Sequence, residues 1–169
     1  MVTGEMAVNH MRELYEEMIL DHNRNPRNFA SEPPAGANRH AHGFNPVCND
    51  EFNVHLQVTD GVIEDVSFDG AGCAISTASA SLMTEAIKGK TEQQARELFQ
   101  SMHRLLTEAA PAAGLGKLAV LGGVHEYPMR IKCATLPWHT LRAALDRDND
   151  TVVCTETLAS TVCATSDAG

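Results

Sequence analysis

The chain has 169 residues, a formal net charge of -9, and 43% hydrophobic and 21% charged residues. That length suits one domain able to bury a core without disulfides, and so acidic a balance argues against nucleic acid or an anionic membrane surface as partners. No apolar run approaches the roughly eighteen residues that cross a bilayer.

The opening residues MVTGEMAVNH carry no basic patch followed by an apolar stretch, so the expected location is the cytoplasm. From Met11, the residues Leu14, Tyr15, Met18 and Ile19 recur at helical spacing until the HNRNP stretch stops the pattern. Residues 30–46 hold three prolines and two glycines without a period, and read as a loop that delivers the chain to Cys48. His40 and His42 lie in this loop and read as solvated.

Phe52, Val54, Leu56 and Val58 alternate with polar neighbours, and Val62, Val66 and Phe68 continue with period two beyond Asp60-Gly61. This predicts a β-hairpin, closed by a turn that tolerates positive φ. After the glycines of DGAGC, residues 69–73, a helix is expected with Ile75, Ala78, Leu82, Met83 and Ile87 on one face. Thr91 with Gln94 forms a capping-box pattern for another helix, and residues 111–129 read as a loop or short turns. A last helix is expected from about Arg130, with Pro137 kinking it or marking its first turn. The organisation is one α+β domain over residues 1–146, a small antiparallel sheet of about three strands flanked by helices, followed by a flexible tail over 147–169.

Five cysteines, an odd number, do not read as a disulfide framework; metal or thiol chemistry fits better, with inert buried thiols as the plain alternative. Cys48 and Asp50 sit two apart where the hairpin begins, and Cys73 follows where it ends. A hairpin brings its ends side by side, so these three donors can converge. Cys133, at or near a helix start, would gain thiolate character from the helix N-terminus, as would Cys73. Spacing alone gives no CxxC pair.

The segments LYEEMILDHNRNPRNF, NPVCNDEFNV, IEDVSFDGAGCAISTASASLMTEAIKGK and RIKCATLPWHTL, in this order, resemble the IscU/NifU family of iron-sulfur cluster assembly proteins over roughly residues 10–146. The long interval from Cys73 to Cys133, and Lys132 in place of a His before the last cysteine, are similar to the SufU branch. EYPMR stands where the IscU branch carries its chaperone-binding stretch, so no dedicated Hsp70 partner is expected.

The resemblance implies a zinc site formed by Cys48, Asp50, Cys73 and Cys133, with Cys48 accepting persulfide sulfur from a SufS-type cysteine desulfurase and Arg130 engaging that partner. SUF scaffold proteins are a further partner it allows. The implied function is zinc-dependent sulfurtransfer in iron-sulfur cluster assembly. The alternatives are a scaffold that builds a [2Fe-2S] or [4Fe-4S] cluster on the same ligands, and a non-catalytic adaptor that zinc merely stabilises. Asn49 replaces the family's usual Gly, and Asn tolerates the positive φ required there. Cys154 and Cys163 lie outside the resemblance and read as incidental exposed thiols.

Overall fold

The computed structural model describes residues 3–46, 49–108, 114–146, 152–154 and 161–163. Strands β1 (Arg39–Asn45), β2 (Asp50–Thr59) and β3 (Val62–Ala71) pair antiparallel in sequence order, after helix α1 (Thr3–Arg24). Helices α2 (Ala74–Ile87), α3 (Glu92–Glu108) and α4 (Pro128–Leu145) follow, with a 3-10 segment, Gly116–Glu126, between the last two. The expected sheet with flanking helices is what the chain forms. Asp60 and Gly61 turn the β2–β3 hairpin at φ 52 and 77, the two positive values that a tight two-residue loop needs. Phe52, Val54, Leu56 and Val58 point inward and are buried.

One expectation, the loop over residues 30–46, is corrected, and two others gain detail. The segment read as a loop contains β1, whose inward positions are Arg39, Ala41, Gly43 and Asn45. Large apolar residues are missing from that face, so no period-two hydrophobic signal marks it. In the segment read as a tail, β4 (Val152–Cys154) runs parallel to β1 and β5 (Thr161–Cys163) pairs antiparallel with β4, giving the order β3-β2-β1-β4-β5. An outer strand edge offers unpaired N–H and C=O groups, and three-residue strands are too short to show a period. The last helix, α4, begins at Pro128, where a missing N–H costs nothing, and of the two places open to Pro137 it takes the one in the helix interior. Pro137 cannot donate to the carbonyl of Cys133, but it is buried, and the Thr140 hydroxyl donates to the Leu136 carbonyl beside it at 2.7 Å.

The capping box forms as expected: Gln94 N–H donates to Thr91 Oγ1 at 3.1 Å, and Thr91 N–H to Gln94 Oε1 at 3.0 Å. Small residues on α2, Ala78 and Ser79 among them, let α4 approach closely. There Ser79 Oγ donates to the Ala134 carbonyl at 2.7 Å and accepts from Trp138 Nε1 at 3.2 Å. On the other flank, buried His22 of α1 meets Ser81 Oγ at 2.7 Å. These polar contacts inside the core, each contributing about 1 kcal/mol, set the register of α1, α2 and α4, the elements that surround the cysteines.

Candidate metal centre

The site forms where the open end of the hairpin meets α2. Asn45 and Asp50 are the last pair of the β1–β2 ladder at this end of the sheet. Across β2, Glu51 pairs with Ala71 and Phe52 with Gly70. Gly70 stands at φ 124, where a Cβ would run into the Glu51 carbonyl, and a Cβ on Gly72 would stand 2.9 Å from Asp50 Oδ1. These two glycines let the backbone lie against Asp50 and bring Cys73 to it. The Cys73 N–H donates to Asp50 Oδ1 at 2.8 Å, and its Sγ lies 3.9 Å from Oδ2.

Cys73 is the N-cap of α2, and its sulfur accepts from the Ser76 N–H at 3.4 Å. Cys133 enters from the second turn of α4 and is 2% exposed, with its thiol 3.7 Å from the Met129 carbonyl and 4.0 Å from Asn45 Nδ2. It therefore sits deeper in its helix than expected, past the first turn where the helix partial charge acts most strongly. One donor atom each from Asp50, Cys73 and Cys133 lie within 4.8 Å of one another.

The Cys73 thiol is held well below the usual thiol range, at about 6. A hydrogen bond from Cys133 is the main cause, helped by Ser76, while burial and the Asp50 carboxylate push the other way. Beside it runs a groove of about 510 Å³, lined by Tyr15, Leu20, Ile75, Met129, Arg130 and both cysteines. The side chains of Leu20, Met129 and Tyr127 are exposed at this end. Arg130 is exposed and its guanidinium stacks 4.9 Å over the Tyr127 ring. Burial pushes the Tyr15 phenol up, and the charge and hydrogen bonding of Arg130 oppose that shift.

The structure thus brings together Asp50, Cys73 and Cys133, and sets Arg130 on the same groove. Cys48 lies outside the described residues. Asn49 adopts φ 56, the positive value expected of it. Ser76, Asn45 and Tyr15 at this site were not foreseen from sequence. The NP dipeptide before Cys48 marked a turn but not the side-chain contact of Asn45, and Tyr15 read as one member of an apolar helix stripe.

The donors fit zinc. Tetrahedral Zn–S and Zn–O bonds separate sulfur from oxygen by roughly 3.6 Å, close to the 3.9 Å between Cys73 Sγ and Asp50 Oδ2. Two thiols and a carboxylate suit zinc and equally the iron of a cluster.

The fold and this site define a small α+β protein with a cysteine and aspartate centre at one end of its sheet. The family model described as the NifU-like N terminal domain matches residues 14–134. The chain belongs to that family. A Bacillus subtilis (strain 168) protein named zinc-dependent sulfurtransferase SufU is 36% identical over 140 residues, covering 80% of this chain and 91% of that one. The Streptococcus pyogenes serotype M1 protein named iron-sulfur cluster assembly scaffold protein IscU is 34% identical over 144 residues, covering 84% and 89%. Among solved structures, a proposed iron-sulfur cluster assembly scaffold for the SUF system from Fervidobacterium islandicum AW-1 superposes with a TM-score of 0.69 at 34% identity, covering 79% of this chain and 97% of that one.

Proposed function

We propose that this chain serves iron-sulfur cluster assembly in the cytoplasm as a zinc-dependent sulfurtransferase. Cys48, Asp50, Cys73 and Cys133 hold the zinc, and Cys48 is the acceptor of persulfide sulfur from a SufS-type cysteine desulfurase. The observation that carries this reading is the convergence of the Asp50, Cys73 and Cys133 donor atoms within 4.8 Å of one another. Two peptide units separate Cys48 from Asp50, so the chain can carry it no farther than about 7 Å along the backbone. The Bacillus subtilis relative's name supports the zinc and the sulfurtransfer. Lys132 before Cys133, and the 3-10 segment inserted between Cys73 and Cys133, agree with the SufU branch.

Bound zinc would supply one thing, thiolates kept deprotonated and shielded until needed. The protein does the rest. The Cys48 thiolate attacks the outer sulfur of the desulfurase persulfide. A new S–S bond forms at Cys48, the donor's S–S bond breaks, and the donor cysteine leaves as a thiolate, so no outside oxidant or reductant is needed. Asp50 is the one oxygen ligand among sulfurs, which makes the set easier to open than four thiolates. Arg130 offers a cation at the groove for the incoming partner, and SUF scaffold proteins receive the sulfur.

The test is a desulfurase assay with purified partner. Stimulation is expected from the wild type and is lost in Cys48→Ala; undiminished stimulation by that variant defeats the proposal. A second reading, a scaffold for a nascent cluster, draws support from the names of the Streptococcus and Fervidobacterium relatives. Anaerobic purification separates the two: a colourless protein with one zinc per chain favours transfer, and a brown one with matched iron and sulfide favours the scaffold.

A further inference from the structure

The cap of α2 differs from an ordinary one in what accepts its first N–H groups. Cys73 holds the extended conformation of an N-cap, φ -68 and ψ 169, and its sulfur takes the Ser76 N–H at 3.4 Å where a serine or aspartate oxygen usually stands. The Ser76 hydroxyl oxygen also lies 3.4 Å from that sulfur, and 3.1 Å from the Cys73 carbonyl. Ser76 is fully buried and its hydroxyl is walled in: a Cβ on Gly72 would stand 2.5 Å from Ser76 Oγ and 2.7 Å from Phe52 Cζ. The neighbouring backbone and the Phe52 ring thus keep the hydroxyl beside the sulfur.

One hydroxyl proton stands between two acceptors, and the state of the sulfur decides where it goes. The Cys73 carbonyl already accepts the Thr77 N–H at 3.0 Å, so it is satisfied without Ser76. A thiolate held on a metal carries no proton and can only accept, so beside it the hydroxyl is the donor. The Cys73 thiolate then receives two donors from one residue, whereas Cys133 meets the Met129 carbonyl at 3.7 Å and Asn45 Nδ2 at 4.0 Å. In metal-free protein such bonds favour reaction at Cys73 by keeping it ionised. On zinc every ligand thiol is ionised, so intrinsic nucleophilicity ranks them, and donors that draw charge off a sulfur lower it.

We propose that Ser76 is a positioning residue that makes Cys73 the ligand that stays: its N–H and hydroxyl hold the Cys73 thiolate on the metal and blunt it as a nucleophile. Persulfide sulfur is thereby directed to Cys48. The inference rests on the zinc-dependent sulfurtransfer reading and adds to it the group that sets one thiolate apart from another. Hydrogen bonds behind a metal ligand act in this way, fixing its orientation and tuning the metal. The main-chain N–H remains with any residue at position 76, so replacement by Ala removes the hydroxyl alone.

The first measurement needs no variant. In wild type loaded with ¹¹³Cd, scalar coupling from the metal to the Ser76 N–H and hydroxyl protons is expected across the two hydrogen bonds to sulfur, and its absence from the hydroxyl overturns the proposal. In S76A loaded with Co²⁺, the thiolate-to-cobalt charge-transfer band should move to longer wavelength, as a more electron-rich sulfur requires, and zinc should be held about tenfold more weakly. S79A removes a hydroxyl bonded to the Ala134 carbonyl in the same helix and should leave the band in place. An equal shift in S79A would mark a general loosening of α2 and overturn the proposal. Zinc-loaded protein is then treated with desulfurase and cysteine, and persulfide is mapped on peptides: it is expected on Cys48 in wild type, and on both Cys48 and Cys73 in S76A. Either an unmoved band or persulfide still confined to Cys48 in S76A overturns the inference and leaves the sulfurtransfer reading standing. Absence of persulfide from every wild-type cysteine defeats that reading, and the inference with it.

Discussion

The main-chain N–H of Cys73 donates to Asp50 Oδ1 at 2.8 Å, and the Cys73 sulfur lies 3.9 Å from the other oxygen of the same carboxylate. One side chain therefore anchors the turn that carries a thiol and stands as a donor beside it. Asp50 is fully buried. Replacing it by Ala leaves the Cys73 N–H without this acceptor, a change expected to lower stability by about 1–3 kcal/mol, while Asn keeps an acceptor and loses less. Urea unfolding of metal-free wild type, D50N and D50A checks that order, and an undiminished D50A midpoint contradicts it.

Thiol reactivity at the centre should be unequal. Cys73 is half-buried with its thiol at about 6, whereas Cys133 is 2% exposed. In metal-free protein at pH 7, iodoacetamide is expected to label Cys73 well ahead of Cys133. Below about pH 6 the Cys73 rate should fall about tenfold per unit as the thiolate is lost. Because the Asp50 carboxylate pushes this thiol up, D50N should move the titration to lower pH. Peptide mapping against pH reads both effects, and equal labelling of the two cysteines counts against the geometry.

Where periodicity and capping chemistry were strong, the fold was legible. The β2–β3 hairpin, its Asp60-Gly61 turn and the Thr91–Gln94 box carry their own local signals, and all three stand as expected. Through the hairpin, Asp50 and Cys73 could be brought together from spacing, but Cys133 came from family resemblance because no local rule links it to residues far away in sequence. What stayed hidden was chemistry set by tertiary contact. Arg39 faces inward because Glu92 meets it at 2.9 Å, and Asn45 because Cys133 is beside it. Neither partner is near in sequence, so a polar inward face read as a loop.

Gly43 tests that missed strand. A Cβ there would strike the Thr140 hydroxyl and stand 3.1 Å from Leu136 Cδ1, since β1 lies directly on α4. Gly43→Val is expected to cost about 1–3 kcal/mol through overpacking, although valine is the better strand former. Were this segment a solvated loop, the urea midpoint would not move.

The same helix predicts a pH dependence. Burial holds His139 well below the usual imidazole range, at about 4, and the positive charges of Arg142 and His103 add to that. Its Nδ1 is buried without a hydrogen-bond partner, and its ring packs edge-on against Phe99 and His103. The folded chain keeps this ring neutral, while the unfolded chain protonates it near pH 6.5, so between these values the unfolded state binds the extra proton. The contribution is complete above pH 6.5 and declines as pH falls toward 4, by about 1.4 kcal/mol per unit. Between pH 7 and pH 5 the wild type should therefore lose about 2 kcal/mol more than His139→Phe, which fills the same apolar site with nothing to protonate. Any effect of the metal centre is common to both proteins and drops out of the difference. His22, whose pKa burial also lowers, leaves a residual slope of the same sign in the variant. Parallel pH profiles for the two proteins would show that His139 is not held neutral by the fold.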